Sequence, residues 1–280
     1  MTDHVLGHLQ KHRRNTPTPT AALPPLFVAI QGPQGCGKTY LTSQLHEVLQ
    51  SPPHSLSVAI LSIDDLYLPY TELVSLAEAH PTNALLQGRG LPGTHDVKLA
   101  KQILRDLQHI NEPSSEGALR EVALPSFDKS LHGGAGDRVP STVAIRPTVD
   151  VVVMEGWCVG FQPTTVEEIE KRWDEPIKGL EHRLSMSNYR KKDILEVNGK
   201  LKEYVDLWDR FTVCIQVCIY FLTVRAYYLR EISFSKDRAG TFVSISIHLQ
   251  MEIGTGASDE VTQRRGRDGG RPGFQVRKHS

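Results

Sequence analysis

Eight residues constrain this chain more than any others: Gly32-Pro33-Gln34-Gly35-Cys36-Gly37-Lys38-Thr39. An apolar run, Leu26-Phe27-Val28-Ala29-Ile30, precedes them, and a helical pattern from Lys38 to about Leu49 follows. A short apolar run bounded by proline and glycine reads as a buried strand. A glycine-rich turn between such a strand and a helix lets successive backbone N–H groups point inward at phosphate oxygens. The start of the helix adds its positive dipole end. In the pattern G-x-x-x-x-G-K-[ST], the lysine reaches the β and γ phosphates and the hydroxyl residue ligates magnesium. All of Gly32 to Thr39 therefore reads as a triphosphate cradle, with Lys38 on the phosphates and Thr39 on the metal.

Two acidic sites follow the same logic. Ser57 to Ile63 reads as a second buried strand that delivers Asp64 and Asp65 at its end. Strand ends in parallel sheets face the ligand crevice. A carboxylate there can accept a proton from an attacking hydroxyl or hold magnesium through water. Asp64 is the favoured base of the pair. Val149 to Met154 reads as a third strand, ending in Glu155-Gly156-Trp157, and its acid would sit beside the metal. Asp64 and Glu155 thus join Thr39 as expected metal residues, and Lys38, Asp64 and Glu155 form the expected catalytic set. Trp157 reads equally as core or as substrate wall, and Cys36 receives no chemistry.

The remaining pattern supports an α/β fold, a three-layer doubly wound and mostly parallel sheet, because apolar strands without alternation are covered on both faces. Residues 1–25 read as a helical segment and linker, and 26–216 as one domain. Within it, residues 71–95 are mixed helix and loop, and Asp96 to Ile110 is an amphipathic helix with Asp96 as N-cap. Val122 to Leu124 is a short strand, and Lys129 to Arg138 a glycine-rich loop. Thr165 to Arg172 and most of Lys178 to Leu207 are helical, and Phe211 to Val217 is another strand.

Charge excludes some partners. Lys+Arg and Asp+Glu both number 32 in 280 residues, so bulk electrostatics favours neither nucleic acid nor an anionic membrane. The most apolar stretch, Phe211 to Val224, falls short of a membrane span. The four cysteines form no CxxC pair, which fits a reducing, cytoplasmic setting. The N-terminus has no signal-peptide core, and Asp3 and the scarcity of arginine argue against an organelle address. The chain has no Asn-Lys-x-Asp segment of the kind that reads guanine. An acid pair right after the second strand suits deprotonation of a substrate hydroxyl better than positioning of water.

Together, the glycine loop, Ser62-Ile63-Asp64-Asp65-Leu66-Tyr67 and the Glu155 strand resemble the uridine kinase, phosphoribulokinase and pantothenate kinase group. Gly88-Arg89-Gly90-Leu91-Pro92-Gly93-Thr94-His95-Asp96, Pro125-Ser126-Phe127-Asp128-Lys129-Ser130 and Gly136-Asp137-Arg138 narrow this to a resemblance to the D-glycerate 3-kinase branch, over residues 26–216. The resemblance implies a P-loop kinase with a small helical lid, using ATP and Mg2+ to phosphorylate a small hydroxyl acceptor, D-glycerate. It puts Asp65, Tyr67, Arg89, His95, Asp96, Lys129 and Arg138 in the acceptor region, with the cations suited to a carboxylate. Plainer readings stand beside these: Asp96 as a helix cap, His95 as a packing residue, Arg138 as a solvated loop residue. Arg172, Arg183 and Arg190 read as lid residues or as a solvated helix face.

After Gln216 the resemblance stops. Val217-Cys218-Ile219-Tyr220-Phe221-Leu222-Thr223-Val224 stands where the family has a polar, acidic helix, and Gly254 to Glu260 looks family-like again. Residues 217–280 are expected to be a divergent segment, derived from intron or frame-shifted sequence, or else a genuine variant C-terminus. The basic tail Arg264 to Arg271 is too short, and too poor in aromatics, to read as an RNA tract.

Overall fold

The computed structural model describes residues 1–16, 23–113, 120–175, 189–223, 226–236 and 242–249. Helix α1 (Thr2–Asn15) leads to strand β1 (Leu26–Gln31), the glycine loop and α2 (Lys38–Gln50). Strand β2 (Val58–Ser62) runs into a single 3-10 turn, Ile63–Leu66. Helices α3 (Tyr70–Ala79) and α4 (Val97–Gln108) come next, then strands β3 (Val122–Asp128) and β4 (Asp137–Ile145). Strand β5 (Val151–Gly156), helices α5 (Val166–Trp173), α6 (Lys191–Lys200) and α7 (Val205–Trp208), and strands β6 (Val213–Thr223), β7 (Ala226–Lys236) and β8 (Phe242–Leu249) complete the order.

The main sheet has the order β2-β5-β1-β6-β7-β8. Its first four strands are parallel, with Leu26 opposite Val151 and Ser62 opposite Glu155. Two buried layers explain the unbroken apolar runs. Phe27 and Ala29 face a cluster containing Leu104 of α4 and Trp208 of α7. Leu26, Val28 and Ile30 face the other way, onto Val5 and Leu9 of α1 and Leu45 and Leu49 of α2. Both faces of β1 are therefore dry, and no polar alternation is left to show in the sequence. This is the three-layer, mostly parallel α/β architecture expected.

Three stretches differ from the expectations. The short strand at Val122 extends to Asp128 and pairs with β4 as an antiparallel hairpin. Its register slips between Leu124 and Ser126, at Pro125, which has no N–H for a ladder bond. The expected loop from Lys129 to Arg138 shrinks accordingly, because Asp137 and Arg138 already pair with Asp128 and Phe127. Strand β6 does not stop at Val217. It runs seven residues past the Gln31–Gln216 pairing, roughly 23 Å at the usual rise. Strands β7 and β8 then add antiparallel neighbours, in the divergent segment to which the sequence assigns no element. Among the described residues, the outer edge of β8 has no strand partner. No described helix is long and apolar enough to cross a membrane.

Candidate active site

The glycine loop leaves the C-terminal end of β1 and closes onto α2. Gly35 and Gly37 have φ of 78° and 80°, left-handed values that Cβ disfavours, and Gly37 is the N-cap of α2. A Cβ on Gly32 would lie 2.7 Å from the Val217 carbonyl oxygen and 2.8 Å from Cys36 Sγ. That position admits only glycine. Lys38 Nζ donates to the Pro33 carbonyl across the loop at 2.8 Å.

The β2–β5 register brings the acids beside this loop. Ser62 Oγ donates to Glu155 Oε1 at 2.9 Å and accepts the Asp64 N–H at 3.3 Å. Ser62 opens the Ser62-to-Tyr67 motif, but the sequence assigns it no role, since a strand-end serine carries no pattern of its own. Burial pushes the Glu155 carboxyl above its usual value, while the Ser62 hydrogen bond and the nearby Lys38 ammonium pull it down. Asp64 receives two donors. Tyr67 Oη reaches Oδ1 at 3.2 Å, and Lys129 Nζ reaches Oδ2 at 2.6 Å. Asp65 turns away and accepts the Phe127 N–H at 3.3 Å, tying the turn to β3, and burial raises its pKa.

Two cavities meet at these groups. The smaller, about 310 Å³, is lined by Lys38, Thr39, Ser62 and Glu155 among others. The larger, about 920 Å³, is lined by Arg89, Tyr67 and, along α3, Tyr70, Leu73 and Val74. Gln34, Asp64 and Lys129 line both, so they form the partition. The α3 wall was read only as mixed helix and loop, because its packing partners lie far away in sequence.

The Arg89-to-Asp96 segment divides between cavity and scaffold. Arg89 donates to the carbonyls of Gly134 and Ala135 and lies over the Phe127 ring, 5.8 Å from its centroid. Thr94 Oγ1 closes the turn by donating to the Leu91 carbonyl. His95 is buried: its ring stacks on Tyr67, and Nδ1 pairs with Tyr204 Oη at 2.9 Å. Asp96 caps α4 by accepting the Leu99 N–H, and its other oxygen accepts from Arg138 Nη1 at 3.2 Å. Arg138 Nη2 donates to the Tyr67 carbonyl at 2.8 Å. His95, Asp96 and Arg138 line neither cavity. Trp157 lines the smaller one. Arg172 is exposed and pairs with Glu168 on α5, Arg190 pairs with Asp193 at the start of α6, and Arg183 lies outside the described residues. Among the described residues, no group of three or more His, Cys, Asp or Glu side chains could hold a metal by itself.

A mostly parallel doubly wound sheet, a glycine loop after strand β1, an acid at the end of the adjacent β5 and another just past the end of β2, next out in the sheet, define the P-loop kinase fold. Solved structures and curated proteins carry this further. A D-glycerate 3-kinase from Cryptococcus neoformans var. grubii is 35% identical with a TM-score of 0.68, over 77% of this chain and 70% of that one. A probable ATP-dependent kinase of Saccharomyces cerevisiae is 36% identical over 184 residues, 65% of this chain and 57% of the relative. An uncharacterized kinase of Schizosaccharomyces pombe is 33% identical over 225 residues, 78% of this chain and 71% of the relative. No protein-family profile matches. The chain belongs to the glycerate-kinase-like family of P-loop kinases.

Proposed function

We propose that this chain transfers the γ-phosphoryl group of ATP to a hydroxyl group of D-glycerate, giving 3-phosphoglycerate. The observation that carries this is the shared partition: one carboxylate, Asp64, faces both the glycine-loop cavity and the larger cavity beside Arg89. A phosphoryl donor on one side and a hydroxyl on the other would then meet at that carboxylate. Proximity of this kind is the main contribution a kinase makes, because the protein supplies little covalent chemistry.

In this reading Asp64 takes the proton as the hydroxyl oxygen bonds to the γ phosphorus. The bond to the β–γ bridging oxygen breaks, and ADP leaves. Lys38 and the loop N–H groups stabilise the spreading charge. Thr39, Asp64 and Glu155 are hard oxygen donors around the smaller cavity and fit Mg2+, which takes one or two carboxylates and leaves its other positions to phosphate and water. When bound, that ion neutralises charge on the β and γ phosphates. Arg89 and Lys129 hold the acceptor carboxylate. An anionic acceptor draws Lys129 off Asp64 Oδ2, leaving that oxygen to receive the proton.

Residues 26–216 hold every residue of this scheme, and the segment 217–280 is proposed to be aberrant sequence attached to it. A spliced message that keeps the codons from 217 to 250 would refute that. The cytoplasm is the proposed compartment, in keeping with three free cysteines among the described residues. The test of function is ADP release with purified chain, ATP and Mg2+ against a panel of acceptors. D-glycerate is expected to stimulate it. Turnover with uridine or pantothenate and none with D-glycerate would move the acceptor class. Tight ATP binding with no stimulation by any acceptor would instead make this a regulatory nucleotide-binding protein.

A further inference from the structure

A general base works only if its carboxylate is held in one rotation while the substrate hydroxyl arrives. Lys129 cannot supply that hold. Its side chain is 54% exposed, and it faces the cavity in which an acceptor anion competes for it. The second donor on Asp64 is of another kind. Tyr67 is 3% exposed, and its hydroxyl points at Asp64 Oδ1. A phenol hydroxyl 3.2 Å from a carboxylate oxygen is placed to donate to it, and the burial of the ring leaves that hydroxyl little freedom to turn elsewhere.

Everything around Tyr67 fixes that direction. The His95 ring stacks against it with centroids 4.5 Å apart and planes within 17°. Phe127 meets it edge-on at 5.4 Å. His95 is anchored through Nδ1 to Tyr204 Oη, which also accepts the Gly93 N–H at 2.8 Å. On the backbone, Leu68 N–H donates to the Thr94 carbonyl and Asp96 N–H to the Leu66 carbonyl. Arg138 holds the Tyr67 carbonyl itself. The Gly93-to-Asp96 stretch and Arg138, which stand outside the cavities, thus converge on one phenol.

We infer that Tyr67 is the positioning residue of the base: held by His95 and Tyr204, it fixes the Asp64 carboxylate through Oδ1, so that Oδ2 is left to exchange Lys129 for the acceptor hydroxyl. The inference rests on the reading of Asp64 as base and adds to it a fixed partner that the reaction never releases. Tyr67→Phe keeps the ring and its stack and removes only the donor.

With ATP, Mg2+ and D-glycerate, Tyr67→Phe is expected to lower kcat about tenfold, the worth of one hydrogen bond to a charged group. KM for ATP and KM for D-glycerate should stay within about twofold, since Tyr67→Phe leaves the ring in the cavity wall and removes only a hydroxyl that is directed at Asp64. His95→Phe, which keeps a ring under Tyr67 but gives up the tie to Tyr204, should lower kcat in the same direction by two- to threefold. Thermal melts of both variants identify loss of fold as distinct from loss of rate. Wild-type kcat in Tyr67→Phe, while Asp64→Asn is inactive, would overturn the inference and leave Asp64 as base. A rise in KM for D-glycerate with unchanged kcat would overturn it in favour of direct substrate contact. An active Asp64→Asn would remove the base reading itself, and this inference with it.

Discussion

Between pH 7 and pH 4 the folded and unfolded chains differ at His95 in how readily they take a proton. In the fold its pKa is pushed down to about 4 from 6.5, because burial penalises the imidazolium; the Asp64 charge pulls weakly the other way. Stability rises with pH wherever the unfolded chain binds more protons. Here the unfolded chain protonates below 6.5 and the fold resists until about 4, so stability from this group is intact at pH 7.5 and lost on acidification. The two values lie about 2.5 pH units apart, which at 1.36 kcal/mol per unit is worth about 3 kcal/mol by pH 4. That is a large share of the 5–15 kcal/mol typical of a domain. The comparison needed is wild type against His95→Phe, which cannot titrate and keeps a ring against Tyr67. Urea unfolding followed by tryptophan fluorescence, at steps from pH 7.5 to 4.5, gives the difference in ΔG directly. Titrating groups that do not interact with His95 cancel in it. The wild type should lose ground with a slope approaching 1.4 kcal/mol per pH unit below pH 6. Parallel curves for the two proteins would refute the reasoning, since they would mean that His95 accepts its proton without leaving the fold.

Two further perturbations test other parts of the site. Glu155→Gln should reduce turnover at least a hundredfold and yet raise the melting temperature at pH 7 by a few degrees. Burial makes the fold hold the Glu155 proton more tightly than the unfolded chain does, so stability from that group is present below 4.5 and lost as pH rises through the raised value. Melts at pH 7 and pH 4.5 check this, and the gain should shrink at the lower pH. Gly136→Ala should cost about 2–4 kcal/mol in chemical unfolding, because φ is +82° there and the new Cβ would lie 2.3 Å from Phe127 Cε1. A midpoint equal to wild type would mean that the Phe127 ring can move aside.

What could be read from the sequence was whatever is local. The glycine loop needs one strand and one helix in a row, and both announce themselves in Leu26 to Leu49. The Asp96 cap and the 3.6-residue period of α4 lie within one turn of each other. The β3–β4 hairpin hid for a physical reason: it is half-exposed, and Pro125 and Pro140 interrupt any alternation. The Asp64–Lys129 ion pair spans 65 positions and depends on the hairpin register, so the resemblance could bring both residues into a site without revealing their contact. The His95 stack on Tyr67 is likewise tertiary. His95 and Asp96 belong to the most family-specific segment, but their contacts are with the scaffold, because a motif records what must be kept and does not say which side faces the substrate.

Strand β8 bears on the fate of the molecule in a cell. Its eight residues, Phe242 to Leu249, include no proline, no acid and no lysine or arginine, and among the described residues its outer edge is the last in the sheet. Soluble sheets usually guard such a rim with charge, proline or a bulge. A strand rim with none of those guards presents a ladder of N–H and C=O groups on which another chain can add.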